Sequence, residues 1–183
     1  TSELLLVRNG SIDFAYASTI NWSPQIQALN LTALPFFIAN HKDRNQAMDA
    51  WEAGKAGQMM IALVEKAKVK FIGWGENGFR ELTSSKGPIN HPADMKGMKL
   101  RVCGTPIFKD IFEALGANPQ AINWSEAITG FQQGIVDGQE NPTNGINIPS
   151  KLWEYGHKYL TDWHYMIDPL LLTANEKVWK EFS

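Results

Sequence analysis

The run from Met98 to Gly134 constrains the fold more than any other part of the chain. "MKLRVC" alternates: Met98, Leu100 and Val102 face one way, and Lys99, Arg101 and Cys103 face the other. "TPIFKDIFEALG" then carries a full set of helix signals. Thr105 stands at the cap, Pro106 is the first helical residue, and Gly116 is the stop. Its apolar stripe is Ile107, Phe108, Ile111, Phe112 and Leu115. "QAINW" reads as a second strand, and "SEAITGFQQG" as a helix capped by Ser125 and ended by Gly134. Strands alternating with helices predict an α/β chain with at least partly parallel sheets.

The flanks extend the pattern. "SELLLVRNG" reads as a helix with Ser2 at its cap, and "SIDFAYAS" as a strand. "LTALPFFI" is a loop around Pro35. "DRNQAMDAWEAG" and "GQMMIALVEKAK" read as two helices and "VKFIGW" as a buried strand. Residues 75 to 92 are polar and rich in Gly and Pro, which predicts loop or edge structure. "VDGQENP" reads as a polar turn after a helix and "SKLWEYGHKYL" as a helix. "WHYMID" and "LLLTAN" read as strands, and "EKVWKEF" as a closing helix. There is also an internal echo: "NGSIDF" and "QGIVDG" both carry a helix end into an extended segment. Two similarly built lobes with a ligand cleft between them would leave that trace.

Charge removes several functions. The formal net charge is −2, with no basic field to draw nucleic acid or an anionic membrane. No apolar run approaches the roughly 18 residues of a spanning helix. The single cysteine, Cys103, cannot form an internal disulfide and reads as a buried thiol. "TSELLLVRNG" has no basic region followed by a long apolar run, so no signal peptide is expected within this chain.

Catalytic signatures are weak. "GWGENG", Gly73 to Gly78, fits G-x-G-x-x-G after a strand, but no helical stripe follows it, so a turn is expected instead of a dinucleotide site. His41, His91, His157 and His164 show no pairing at three or four residues, so no zinc site is expected. There is no nucleophile elbow and no Walker sequence. Asp137 and Glu140 could form an acid pair, but they read more simply as a polar loop. Arg80 and Arg101 are better leads, because an arginine fork holds a carboxylate bidentately and keeps its charge when desolvated. The plain alternative for both is a structural salt bridge. Trp124, at a helix start, is either a ligand-packing aromatic or a core residue.

Four blocks carry a resemblance: "GENGFRELTS", "HPADMKGMKLRVCGTPIFKDIFEALGANP", "WSEAITGFQQGIVDGQENP" and "KLWEYGHKYLT". In order and spacing they resemble the DctP-type substrate-binding proteins of the tripartite ATP-independent periplasmic (TRAP) transporters. "RNGSIDFAY" followed by "LPFF" resembles that family's first lobe. The resemblance implies a two-lobed, class II-like periplasmic binding protein fold, with the ligand cleft between α/β lobes. The expected limits are residues 1 to 78 with 167 to 183 for lobe one, and 79 to 166 for lobe two. It implies an organic-acid ligand: Arg101 on the carboxylate, Arg80 as a second contact, Asn141 in the pocket wall and Trp124 against the ligand body. Asp137 and Glu140 are then structural. Trp74 and Trp163, with Tyr165, tilt the expected ligand toward a monoacid with an apolar or aromatic body, with a sugar acid close behind. The implied partner is the membrane permease of the transporter, and the implied setting is the periplasm, as a monomer without cofactor, metal or catalysis. The family has further segments before the first block and after the last, so the chain is expected to be an internal piece of a longer protein. Two rivals are an NAD-dependent oxidoreductase using Gly73 to Gly78 and a receptor's ligand-sensing domain.

Overall fold

The computed structural model describes residues 3 to 38 and 42 to 182, so Ser2 and His41 lie outside the described residues. In chain order the elements are α1 (Glu3–Asn9), β1 (Phe14–Ser18), α2 (Thr19–Trp22), α3 (Arg44–Ala53), α4 (Lys55–Lys66) and β2 (Val69–Ser84). They continue with β3 (Lys99–Val102), α5 (Pro106–Ala114), β4 (Asn118–Ala121), α6 (Trp124–Gln132), β5 (Gly138–Pro142), β6 (Tyr159–Asn175) and α7 (Glu176–Trp179). The hydrogen-bonded strand order is β1-β6-β2-β5-β3-β4. The fold is mixed α/β, as the alternation of patterns predicts.

The chain divides into two compact units, Thr1–Asn77 with Met166–Ser183, and Gly78–Tyr165. β2 and β6 each run through both. In unit 1, β1 pairs antiparallel with the last part of β6, from Phe14 opposite Ala174 to Ser18 opposite Leu170. α1 buries Leu4 and Val7, and Trp22, Leu29, Val64 and Leu171 are sealed from solvent in the same unit. Ser18 caps α2 by accepting the Ile20 N–H at 3.1 Å, and Asp43 caps α3 by accepting the Gln46 N–H at 3.0 Å.

In unit 2, β5 is the central strand. It runs antiparallel to β2, with Arg80 opposite Pro142 and Ser84 opposite Gly138. It runs parallel to β3, which in turn runs parallel to β4. α5 crosses between β3 and β4, burying Phe108 and Phe112 completely. α6 buries Ala127 and Phe131 against Val136 and Leu152. The internal echo has a structural cause. Gly10 and Gly134 both take left-handed backbone, at φ 80° and 64°. The next residue in each case bonds back to the helix, Ser11 N–H to the Leu6 carbonyl and Ile135 N–H to that of Gly130, both at 2.9 Å. The two ends are the same glycine-terminated helix cap leading into a strand.

The structure corrects several expectations. Residues 75 to 84 are strand, because β2 continues unbroken to Ser84. "GWGENG" therefore lies wholly inside β2, neither a turn nor a strand-to-helix phosphate loop, and the dinucleotide reading has no site. In "DGQENP" the five residues Gly138–Pro142 form a fully buried strand, β5, whose polar side chains find partners on the neighbouring elements. "SKLWEYGHKYL" keeps one 3-10 turn, Leu152–Tyr155, between left-handed Lys151 and Gly156. "WHYMID" and "LLLTAN" fuse into the single strand β6. The cap of α6 is Asn123 rather than Ser125, and Thr105 holds the cap position of α5 without a side-chain cap bond.

Candidate functional site

In open α/β sheets, ligands bind at the carboxyl ends of the parallel strands. For unit 2 this is the end where β3 and β5 finish and where β2 enters. Arg101, on β3, pairs in register with Gln139. Asn141 lies two residues further along β5 on the same face, and Arg80 enters on β2 opposite Pro142. The fold thus brings Arg80, Arg101 and Asn141 to one end of one sheet. Trp124, the first residue of α6, follows β4 at that end.

The two arginines have different surroundings. Arg80 is 3% exposed and bonds bidentately to Glu140, from Nε to Oε2 at 2.6 Å and from Nη2 to Oε1 at 2.8 Å. Its Nη2 also donates to the Glu140 carbonyl and to Asn141 Oδ1, both at 3.1 Å, and its guanidinium lies over the Phe108 ring at 5.4 Å. Tyr165 donates its hydroxyl to Glu140 Oε2 at 2.7 Å. Burial, then the charge of Glu140, pushes that phenol well above its ordinary range, so it remains a donor. Arg80 is a neutralised partner in a buried ion pair.

Arg101 is equally buried, at 3% exposure. Its Nε–H donates to the Ile122 carbonyl at 2.8 Å, and its guanidinium stands over the Trp124 ring at 5.4 Å. Among the described residues no carboxylate lies within ion-pair distance of it. A buried cation without an anion is costly, and the cation–π contact offsets only part of that cost. Two hydroxyls nearby in the chain share the condition. Thr105 Oγ1, just past the end of β3, and Thr143 Oγ1, just past the end of β5, are buried without a hydrogen-bond partner. Buried polar groups in that state call for a reason.

Sequence reasoning missed the support behind Asn141. Its Nδ2 donates to Gln139 Oε1 at 2.6 Å. Gln139 Nε2 donates to Thr83 Oγ1 at 2.7 Å and to Asn147 Oδ1 at 3.0 Å, and Asn147 Nδ2 returns to the Asn141 carbonyl at 3.0 Å. Thr83 Oγ1 meets His157 Nδ1 at 3.1 Å. Burial lowers the His157 pKa to about 4, so the ring is neutral near pH 7. The signal available in the sequence was the density of amides in "GQEN". Asp137 is a strand-end brace, its Oδ2 accepting the Lys99 N–H at 3.0 Å.

Trp74 and Trp163, the other two tryptophans expected at the ligand, each sit in an aromatic cluster. Trp163 packs against Tyr165 at 4.4 Å and Phe112 at 6.2 Å within unit 2. Trp74 packs against Trp51 at 5.1 Å and Phe71 at 5.2 Å within unit 1.

The family description "DctP: Bacterial extracellular solute-binding protein, family 7" matches residues 2 to 183. The chain is 32% identical over 170 residues to the 2,3-diketo-L-gulonate-binding periplasmic protein YiaO of Escherichia coli K12, covering 93% of this chain and 50% of that protein. It is similar to a TRAP periplasmic solute binding protein of Ralstonia eutropha H16, solved with bound (S)-2-acetolactate. That match has 44% identity and a TM-score of 0.88, over 100% of this chain and 56% of the other. It is also similar to the sugar acid binding protein DctPAm of Advenella mimigardefordensis in complex with galactonate. Here identity is 28% and the TM-score 0.90, over 98% of this chain and 56% of the other. The chain spans about half the length of the relatives it matches.

Proposed function

The chain belongs to the DctP family, family 7 of the bacterial extracellular solute-binding proteins, and from that premise we propose that it holds a small organic acid by its carboxylate and does no chemistry on it. The observation that carries this reading is Arg101: a buried guanidinium on the Trp124 ring, at the carboxyl end of β3, with no carboxylate among the described residues to neutralise it. A ligand carboxylate supplies the missing charge, bidentately, in a desolvated place where such a pair is strong.

Asn141 forms the adjoining wall. Arg80 and Gln139 fix its amide, so it meets the ligand already oriented. Arg80 acts here mainly through Asn141, since Glu140 already balances its charge. Thr105 and Thr143 offer hydroxyls to the ligand's other oxygens. Trp124 covers an apolar portion. This set suits a short monocarboxylic acid bearing a hydroxyl or oxo group and an apolar body, the chemical class of the acetolactate held by the Ralstonia protein. A sugar acid is the second ligand class, in keeping with the galactonate held by the Advenella protein. The full-length protein works in the periplasm as a monomer and hands its ligand to the membrane permease subunits of a TRAP transporter.

Isothermal titration tests the site. The panel comprises 2-hydroxy and 2-oxo monoacids, sugar acids and C4-dicarboxylates. We expect saturable binding of one class. Truncating one partner of a buried charge pair costs about 2 kcal/mol or more, so Arg101→Ala should weaken binding roughly 30-fold or further. Unchanged affinity for the bound acid in Arg101→Ala would sink the assignment.

A further inference from the structure

The spacing of the histidines predicts no metal site, but the fold brings His164, with Asp162 two residues before it, to the distant carboxylate of Glu81. His164 Nδ1 lies 3.3 Å from Glu81 Oε1 and 3.1 Å from Asp162 Oδ1. One donor atom from each of the three residues falls within 4.8 Å of the others. We propose that Glu81, Asp162 and His164 form a binding site for a divalent transition-metal ion of the zinc class, apart from the carboxylate site at Arg101.

Three observations support it. The first is spacing. A tetrahedral ion with bonds of roughly 2.0 to 2.2 Å has donor-to-donor edges of roughly 3.3 to 3.6 Å, close to the separations that surround Nδ1 here. The second is the support behind the donors. Glu81 is 3% exposed, and its Oε2 accepts the backbone N–H groups of Trp163 and His164 at 2.8 and 2.9 Å. That grip leaves Oε1 facing the histidine, as partners behind a metal ligand do. The His164 ring is held as well, against Phe79 at 4.6 Å. The third is access. The Asp162 side chain is 68% exposed and that of His164 36%, so water can reach the site and complete the coordination.

The donor chemistry selects the metal. Calcium and magnesium favour all-oxygen shells, whereas an imidazole nitrogen beside two carboxylates suits zinc, cobalt and their neighbours. The site would tie β2 to β6 close to where both strands leave unit 2, since Glu81 follows Gly78 by three residues and His164 precedes Tyr165.

Cobalt(II) alone, titrated into the full chain, is the probe, because a low-symmetry cobalt site with a nitrogen ligand absorbs visible light strongly. The expected result is a band that saturates at one equivalent and is bleached by added zinc. Asp162→Asn and His164→Ala should each abolish the band and weaken zinc binding about tenfold or more, a loss typical of damage to a metal site. Asp162 is exposed, so its variant keeps the fold, and circular dichroism verifies the other. No saturable band in the folded wild type, or a band that persists in either variant, overturns the proposal.

Discussion

Arg80 and Arg101 are two arginines that the sequence offers on equal terms, each open to a ligand or to a salt bridge. The partners that separate them lie far away in the chain. Glu140 is sixty positions from Arg80 and reaches it only because β2 and β5 pair. Stability should show the difference. Arg80→Ala leaves Glu140 buried without its counter-charge, and breaking such a pair costs about 3 to 5 kcal/mol in urea-unfolding experiments. Arg101→Ala should cost far less, since no carboxylate is stranded. Equal losses in the two variants would contradict the contrast. His157 supplies a test against pH. Its folded pKa is about 4, below the ordinary 6.5, so the unfolded chain binds the proton more readily. The native state should therefore lose stability as pH falls from about 6.5 toward 4, by roughly 2 to 3 kcal/mol from this group. His157→Gln should flatten that slope, whereas an unaltered slope would show that the ring does not carry it.

Among the elements, the helices were the most legible. "TPIFKDIFEALG" folds as α5 with Pro106 first and Phe108 and Phe112 inward, because a helix states its ends and its buried face within a dozen residues. The strands were less legible where they are polar. β5 is buried at every position, yet "GQENP" contains no large apolar side chain. Its stability comes from side-chain partners on other elements, and no local period records those. β2 reads short by the same rule, since the glycines, Glu76 and Asn77 in residues 75 to 78 mimic a loop. Gly138 exposes how tightly β5 is clasped. A Cβ there would stand 2.8 Å from the Thr83 carbonyl oxygen and 3.0 Å from Leu100 Cδ1. The carbonyl belongs to the backbone of β2 and cannot swing aside. Gly138→Ala should lower stability by about 1 to 3 kcal/mol, the usual cost of overpacking, as read from the thermal midpoint. A neutral substitution would mean that β2 and β5 can part locally.

At the scale of the molecule, the alternation of strands and helices was enough to give the α/β class. The matches to solute-binding proteins of known structure agree with the four-block resemblance across nearly the whole chain. Local patterns alone do not show that β2 and β6 run through both units, since β2 reads as a shorter strand followed by a loop and β6 as two separate strands. That arrangement has a consequence in time. Residues 78 to 165 form an uninterrupted stretch, while the first unit needs Met166–Ser183 to close. During synthesis, the inserted unit can finish first. Within this chain β1 must wait, because among the described residues it pairs with β6, whose Ala174 stands opposite Phe14. At ordinary translation rates that interval is on the order of ten seconds. Through it the nascent chain carries an unpaired strand with Phe14 and Tyr16 on its surface, the part of the polypeptide that a chaperone would have most reason to cover.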